Sequence, residues 1–176
     1  MAAEESASLP LLVGVVPGQH PEVLATAASL AARLGVPLSC AYVDEASYVV
    51  EWDPARSAHR LSPHPGADDA DMAALAAGLK EAITGAAAEA AGGTPPVQWS
   101  LHTLTGDAAR ALGRQAAELG ASMIIVGTSE RGLAHRISEA LNGSVGTWLS
   151  HHQDRPVLVV PPRPERDSSP EKRRGK

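Results

Sequence analysis

The chain has 176 residues, a formal charge of −5 and 44% hydrophobic residues, with no Phe and only 3% aromatic side chains. That length suits one domain whose core must be built from Ala, Val, Leu and Ile. The acidic balance argues against general affinity for nucleic acid or an anionic membrane, and no stretch is apolar for long enough to span a bilayer.

The opening "MAAEESASLP" is acidic where a secretory leader would be basic, so residues 1–8 are expected to be a flexible lead into a domain covering 9–162. The run "LLVGVV" at 11–16 reads as a first strand, continuous in apolar residues as a strand covered on both faces should be. In 21–34, Val23, Leu24, Ala27, Ala28, Ala31 and Leu34 recur at three and four, a helical stripe that Gly35 closes before Pro37. "PLSCAYV" at 37–43 is the second strand. It holds Cys40, the chain's single cysteine, which is expected to be a buried, inert thiol. A cytoplasmic location follows as the expectation.

Residues 44–70 form a long polar connection containing Pro54, Pro63 and Pro65, and a loop of that length inside one domain is usually functional or mobile. A helix is predicted over 71–91, with Met72, Leu75, Leu79 and Ile83 on its apolar face. The next strand, 97–104, alternates Val97, Trp99 and Leu101 with Gln98, Ser100 and His102. That pattern places it near a sheet edge, one face toward water. A helix over 107–119 follows, capped by Asp107, apolar through Ala108, Ala111, Leu112, Gln115 and Leu119, and ended by Gly120. "SMIIVG" at 122–127 is the fourth strand, a further helix begins near Ser144, and "PVLVVP" at 156–161 is the fifth strand. Trp148 and Leu149 are expected in the core or an interface. Strand and helix alternate throughout, which predicts an α/β fold with a parallel sheet and right-handed crossovers. The tail 163–176 carries six basic and three acidic side chains and no large apolar one, so disorder is expected there.

The segment joining the fourth strand to its helix, "GTSERGLAHRISEALNGSVG" over 127–146, is the candidate site. In open α/β sheets ligands gather at the carboxyl ends of the strands, where strand order reverses. Gly143 lets the chain approach a ligand closely, Asn142 or Gly143 can cap the helix, and the amides of Ser144, Val145 and Gly146 would face outward at its positive end. The Ser144 hydroxyl adds a donor, Arg131 adds charge, and Gly127 leaves space over the strand end. The same glycines would also serve as plain turn residues, so pattern alone leaves both readings open.

"LLVGVVPG", "LAARLGVPL", "SMIIVG" and "NGSVGTWLSHHQDRPVLVVP", in this order of elements, resemble the universal stress protein family over roughly residues 9–161. The resemblance implies an open five-stranded parallel sheet of order 3-2-1-4-5 with helices on both faces. It also implies ATP, with Mg²⁺, held through Gly-x2-Gly-x9-Gly-Ser and an Asp at the end of the first strand. Gly127 and the pair Gly143-Ser144 match the ends of that motif. Glu130 stands at its second glycine, the next glycine is Gly132, and fifteen residues separate Gly127 from Gly143, three more than in the motif. Pro17 stands where the Asp would be, which removes an acceptor and a backbone donor together. Glu130 would repel a phosphate, with Arg131, His135 and Arg136 as offsets. Leu133, Ile137 and Leu141 suggest a short helix inside the lengthened loop. Phosphate contacts are expected from Gly127, Thr128, Arg131, Gly132, Gly143, Ser144 and Val145. Adenine is expected against the backbone of Tyr42 and Val43, with Val15, Val16 and Pro17 nearby.

Other chemistry finds little support. His151 and His152 are adjacent, so on a helix they diverge by about 100°, while His59 and His64 lack a Cys or carboxylate at ligand spacing. No metal is expected. Ser129 and Ser144 have no nucleophile elbow, and Leu133 stands where a P-loop needs Lys. His20 stands alone after the first strand where an adenylyl transferase carries two. A slow ATPase would need Glu130 or Asp44 as base, and neither is a convincing one. The expected mode is binding without turnover. The fifth strand lies at an edge in that order and has no charge from Val157 to Val160, so it is expected to pair with a second copy as a homodimer. The rival reading is a nucleotide-free, dimeric interaction module whose pocket has been lost through Pro17 and Glu130.

Overall fold

A computed structural model describes residues 9–44, 69–92, 95–128 and 145–162. The expectations for 1–8, most of the 44–70 connection, the body of the glycine loop at 129–144 and the tail 163–176 lie outside the described residues. The elements run β1 (Leu11–Val15), α1 (Glu22–Leu34), β2 (Leu38–Asp44), α2 (Asp69–Ala91), β3 (Trp99–Thr105), α3 (Ala108–Leu119), β4 (Met123–Gly127), α4 (Val145–His152) and β5 (Val157–Val160). All four strand pairings are parallel and the order is β3-β2-β1-β4-β5. This is the open α/β sheet expected, with β3 and β5 at its edges.

Two of the small differences in element bounds have a backbone cause. Strands predicted to open on Pro37 and Pro156 begin one residue later. Each proline still accepts a ladder hydrogen bond, from Leu11 and Ile124 respectively, but it has no N–H to give back. The helices α1 and α3 both stop at a left-handed glycine, Gly35 and Gly120. At each, the next two amides fold back onto the last turn: Gly35 onto Ala32 and Val36 onto Ala31, Gly120 onto Ala117 and Ala121 onto Ala116. Asp107 caps α3 as expected, its carboxylate accepting from the Arg110 amide at 2.9 Å.

The strand pleat sends alternate side chains to opposite faces, each covered by helices. Leu11, Val13, Val15, Leu38, Cys40 and Ile125 pack with Val23, Leu24, Ala27 and Ala31 of α1 and Leu79, Ile83 and Ala87 of α2. Leu12, Ala41, Ile124 and Val126 pack with Ala109, Leu112 and Ala116 of α3 and Leu149 of α4. With no Phe to fill space, alanine-rich helix faces lie close on a Val/Ile/Leu sheet. Leu34 departs from the predicted stripe: it sits at the helix end and is 56% exposed. Leu104 modifies the reading of β3, since it packs against the α3 side beyond Ser100 and His102, and only the start of that face is polar. Leu149 is fully buried, and Trp148 packs partly against the same core.

Candidate functional site

The chain builds β1, β2 and β3 outward in one direction, with α1 and α2 on one face. It then returns to set β4 on the other side of β1, with α3 and α4 on the opposite face. Strand order therefore reverses between β1 and β4, and the segments leaving their carboxyl ends go to opposite faces.

The ladder itself opens at this point. β1 and β4 pair only from Leu11–Met123 to Val13–Ile125. Beyond that, β1 continues to Val15 against β2 while β4 continues to Gly127 against β5. The β1–β4 pairing thus ends two residues short of each strand's carboxyl end, a parting of the ladder that leaves Gly14 and Val15 unpaired to Val126 and Gly127, although a Cβ on Gly14 would still lie 3.5 Å from Val126 Cγ1. β2 also outlasts β1: their register stops at Val15–Tyr42, whereas Val43 and Asp44 remain paired to Leu104 and Thr105 of β3. The β1-facing side of Val43 is left beyond the end of its neighbour, beside the parting.

Of the residues expected at the site, Val15, Val16, Pro17, Tyr42, Val43, Gly127, Thr128 and Val145 are brought to this end of the sheet or to the start of α4, which packs beside β4 and β5. Arg131, Gly132, Gly143 and Ser144 lie outside the described residues. Several backbone groups in the described set are already engaged. The Thr128 amide bonds to Val160 at 3.1 Å, and the Val16 amide bonds to the Gln19 side chain at 3.0 Å. Val15 is buried in the core beneath α1, so its side chain is not free to line a ligand. Tyr42 packs partly against the same core, and Val43 and Val145 against the opposite one.

The expected space over Gly127 is corrected. A Cβ at Gly127 would lie 2.9 Å from Val23 Cγ2, so the room on that face is taken by the first turn of α1. The glycine is required for helix-to-strand approach, whatever else it does.

The turn after β1 is built by Pro17 and Gly18. Gln19 donates from its amide to the Val16 carbonyl at 3.3 Å, and Gly18 has φ +68°. Pro in the second place and a left-handed glycine in the third give a type II turn. Gln19 then folds back, its Oε1 accepting from the Val16 amide. That bond fixes which end of the amide is which, because two N–H groups would otherwise face each other. The Nε2 end is buried without a hydrogen-bond partner, a condition that costs about 1–3 kcal/mol when nothing answers it. Sequence reading missed Gln19, since glutamine after a Pro-Gly turn carries no recognised pattern.

Elsewhere the chemistry is quiet. Burial pushes the Cys40 thiol from 9.0 up to about 12, the inert thiol expected. His152 is exposed and stacks on Trp148, centroids 4.3 Å apart, with Nδ1 2.9 Å from the Trp148 carbonyl. Among the described residues no three His, Cys, Asp or Glu groups gather as metal ligands, and no helix is long and apolar enough to cross a membrane. A hollow of about 290 Å³ between β3 and α3, reaching Thr103, Arg114, Gln115 and Glu118, shares no residue with the β1–β4 parting.

The profile described as "Universal stress protein family" matches residues 10–161. No curated protein matches the chain. Among solved structures, a universal stress protein in complex with cAMP is 18% identical, covering 90% of this chain and all of that one, with a TM-score of 0.57. The universal stress protein UspA from Lactobacillus plantarum is 19% identical over 88% of this chain and 99% of its own, TM-score 0.59. One from Archaeoglobus fulgidus in complex with dAMP is 19% identical over 87% and 98%, TM-score 0.51.

Proposed function

The chain belongs to the universal stress protein family, and from that premise we propose that it is an adenine-nucleotide-binding regulator of the stress response, acting by binding rather than turnover. The observation that carries this is the early end of the β1–β4 ladder at the point where strand order reverses. Relatives of the same fold crystallise with cAMP and dAMP, which supports an adenine nucleotide as the ligand class. In this reading ATP, with Mg²⁺, lies across the parting. Gly127, Thr128, Arg131, Gly132, Gly143, Ser144 and Val145 are assigned to the phosphates. The base rests by Val43 and Tyr42, with Val15, Val16 and Pro17 close, and the nucleotide orders the 127–143 loop for a partner to sense. The protein is assigned to the cytoplasm, in keeping with its one buried, unreactive thiol.

A homodimer through 156–161 belongs to the same proposal. β5 lies at a sheet edge, is uncharged, and leaves Val159 41% exposed. Two copies paired about a twofold axis would cover that edge, with Pro156 and Pro161 limiting the ladder.

The rival, a nucleotide-free dimeric module, draws support from Gly127. Its contact with Val23 gives the motif's first glycine a structural reason to persist without a ligand. Purified protein, denatured and assayed for released adenine nucleotide, separates the two. Titration with labelled ATP and Mg²⁺ then measures affinity; absence of saturable binding at millimolar nucleotide would remove the first reading.

A further inference from the structure

We propose that the hollow between β3 and α3 is a second ligand site, and that it takes a free α-amino acid whose side chain ends in a carboxamide. The hollow shares no residue with the β1–β4 parting, so this site is tested independently of the nucleotide reading.

Gln115 sets its chemistry. The stripe of α3 turns that residue inward with Ala111 and Leu112, and it is 8% exposed. Among the described residues its side chain has no hydrogen-bond partner. Its amide is nonetheless not sealed in the core, as the Ser39 hydroxyl is, and the space it meets is the hollow. A polar side chain that the fold buries and leaves unanswered calls for a partner from outside the chain. An amide presents a donor and an acceptor side by side, and a second carboxamide answers both at once.

The rim carries charge of both signs. Arg114 and Glu118 lie one turn apart on α3, and both line the hollow. Arg ahead of Glu is the weaker order for a pair along a helix, and among the described residues the two form no ion pair. A guanidinium and a carboxylate left apart over one small hollow match the carboxylate and ammonium of a zwitterion. The strand side adds main-chain groups. Gln98 accepts from Leu38 and Gly106 donates to Asp44, so the residues in step with them, Ser100, His102 and Leu104, turn their N–H and C=O toward β2. Thr103 and Thr105 turn theirs to the open edge of the sheet, and both line the hollow. At about 290 Å³ the space is at the small end of the range for small-molecule sites, about 300–1,000 Å³, which suits one amino acid.

The side-chain amide resonances of Gln115 in ¹⁵N-labelled full-length protein, assigned by their loss in Gln115→Met, are followed while L-glutamine is titrated. A parallel titration uses N-acetyl-L-glutamine methylamide, which keeps the carboxamide and loses both charges. The expected result is a saturable shift with L-glutamine at millimolar concentration or below, while the side-chain amide of Gln153 stays unmoved. The capped compound should bind at least about tenfold more weakly. Affinity for L-glutamine should fall about fivefold in Gln115→Met and about threefold in each of Arg114→Gln and Glu118→Gln. The last two change exposed side chains and keep the test open if Gln115→Met fails to fold. A Gln115 amide unmoved by millimolar L-glutamine would overturn the site. Capped compound bound as tightly as the free amino acid, or native affinity in both charge variants, would overturn the zwitterion and point to an extended peptide on the β3 edge.

Discussion

Replacing Gly127 with Ala separates two roles that one glycine has been asked to fill. The new methyl carbon would sit 2.9 Å from Val23 Cγ2, well inside the optimal carbon–carbon separation of about 3.5–4.0 Å. Val23 is 3% exposed and β-branched, so it has little rotamer freedom with which to withdraw. Overpacking of this kind costs about 1–3 kcal/mol, which lowers Tm by roughly 2–10 °C in a chain of this size. Val23→Ala alone removes two methyl groups, about 1.6 kcal/mol of burial with a cavity cost added. In the double variant the methyl at 127 enters the volume Val23 gave up. Its destabilisation should then fall short of the sum of the singles by about 1–2 kcal/mol. Urea unfolding of the four proteins measures the cycle; additivity within about 0.5 kcal/mol would refute the packing account. The double variant also carries a functional readout. If Gly127 serves packing alone, the double variant binds ATP as the native chain does. Restored stability with lost binding would assign the glycine to the ligand as well.

Three further outcomes are expected. Ser39 is 3% exposed and its hydroxyl has no partner, so Ser39→Ala should be neutral or raise stability by up to about 1–2 kcal/mol in urea melts; a loss above 1 kcal/mol would show that the hydroxyl is answered in solution. Cys40, with its thiol at about 12 against 9.0, should resist iodoacetamide at pH 8 until the chain is unfolded. Because the folded thiol holds its proton longer than the unfolded one, its contribution to stability is complete below pH 9 and declines as pH rises toward 12. Cys40→Ala should flatten the fall in stability across that window, measured by thermal melts. Val159→Lys places a charge on the exposed part of β5 and should yield monomer in sedimentation velocity at micromolar concentration; an unchanged dimer would move the interface elsewhere.

Most of the scaffold could be read from residue pattern. Leu11–Val15 and Met123–Gly127 are near-continuous apolar runs because both their faces are covered. The predicted stripe of α1 matches its buried residues apart from Leu34, whereas that of α3 names Ala111, Leu112 and Gln115 correctly but Ala108 and Leu119 in place of the buried Ala109 and Ala116. The alternation at Trp99–Leu101 correctly marked an edge strand. Strand order was different: it came from the resemblance, since periodicity says which face is buried but not which strand lies beside which. The site was less legible still. A glycine is visible in a sequence, whereas the valine filling its missing side chain, 104 positions earlier, is a property of packing. The parting of β1 and β4 after Val13–Ile125 depends on how two ladders compete for one strand, and no local window contains that information.

Pro17 therefore carries more than the loss of an acidic residue. With Gly18 it forces a type II turn immediately after β1, and that turn sets Gln19 where its side chain can return to the Val16 amide. An Asp at position 17 would remove the fixed φ that favours this turn, so adding the carboxylate and keeping the Gln19 arrangement are competing changes. Pro17→Asp should accordingly fail to restore an acceptor-type site in isolation. The expected outcome is a loosened turn, read as faster amide hydrogen exchange at Val16 and Gln19, with nucleotide affinity unchanged or weaker. A clear gain in affinity from this single substitution would mean that a carboxylate at the end of β1 outweighs the turn it disrupts.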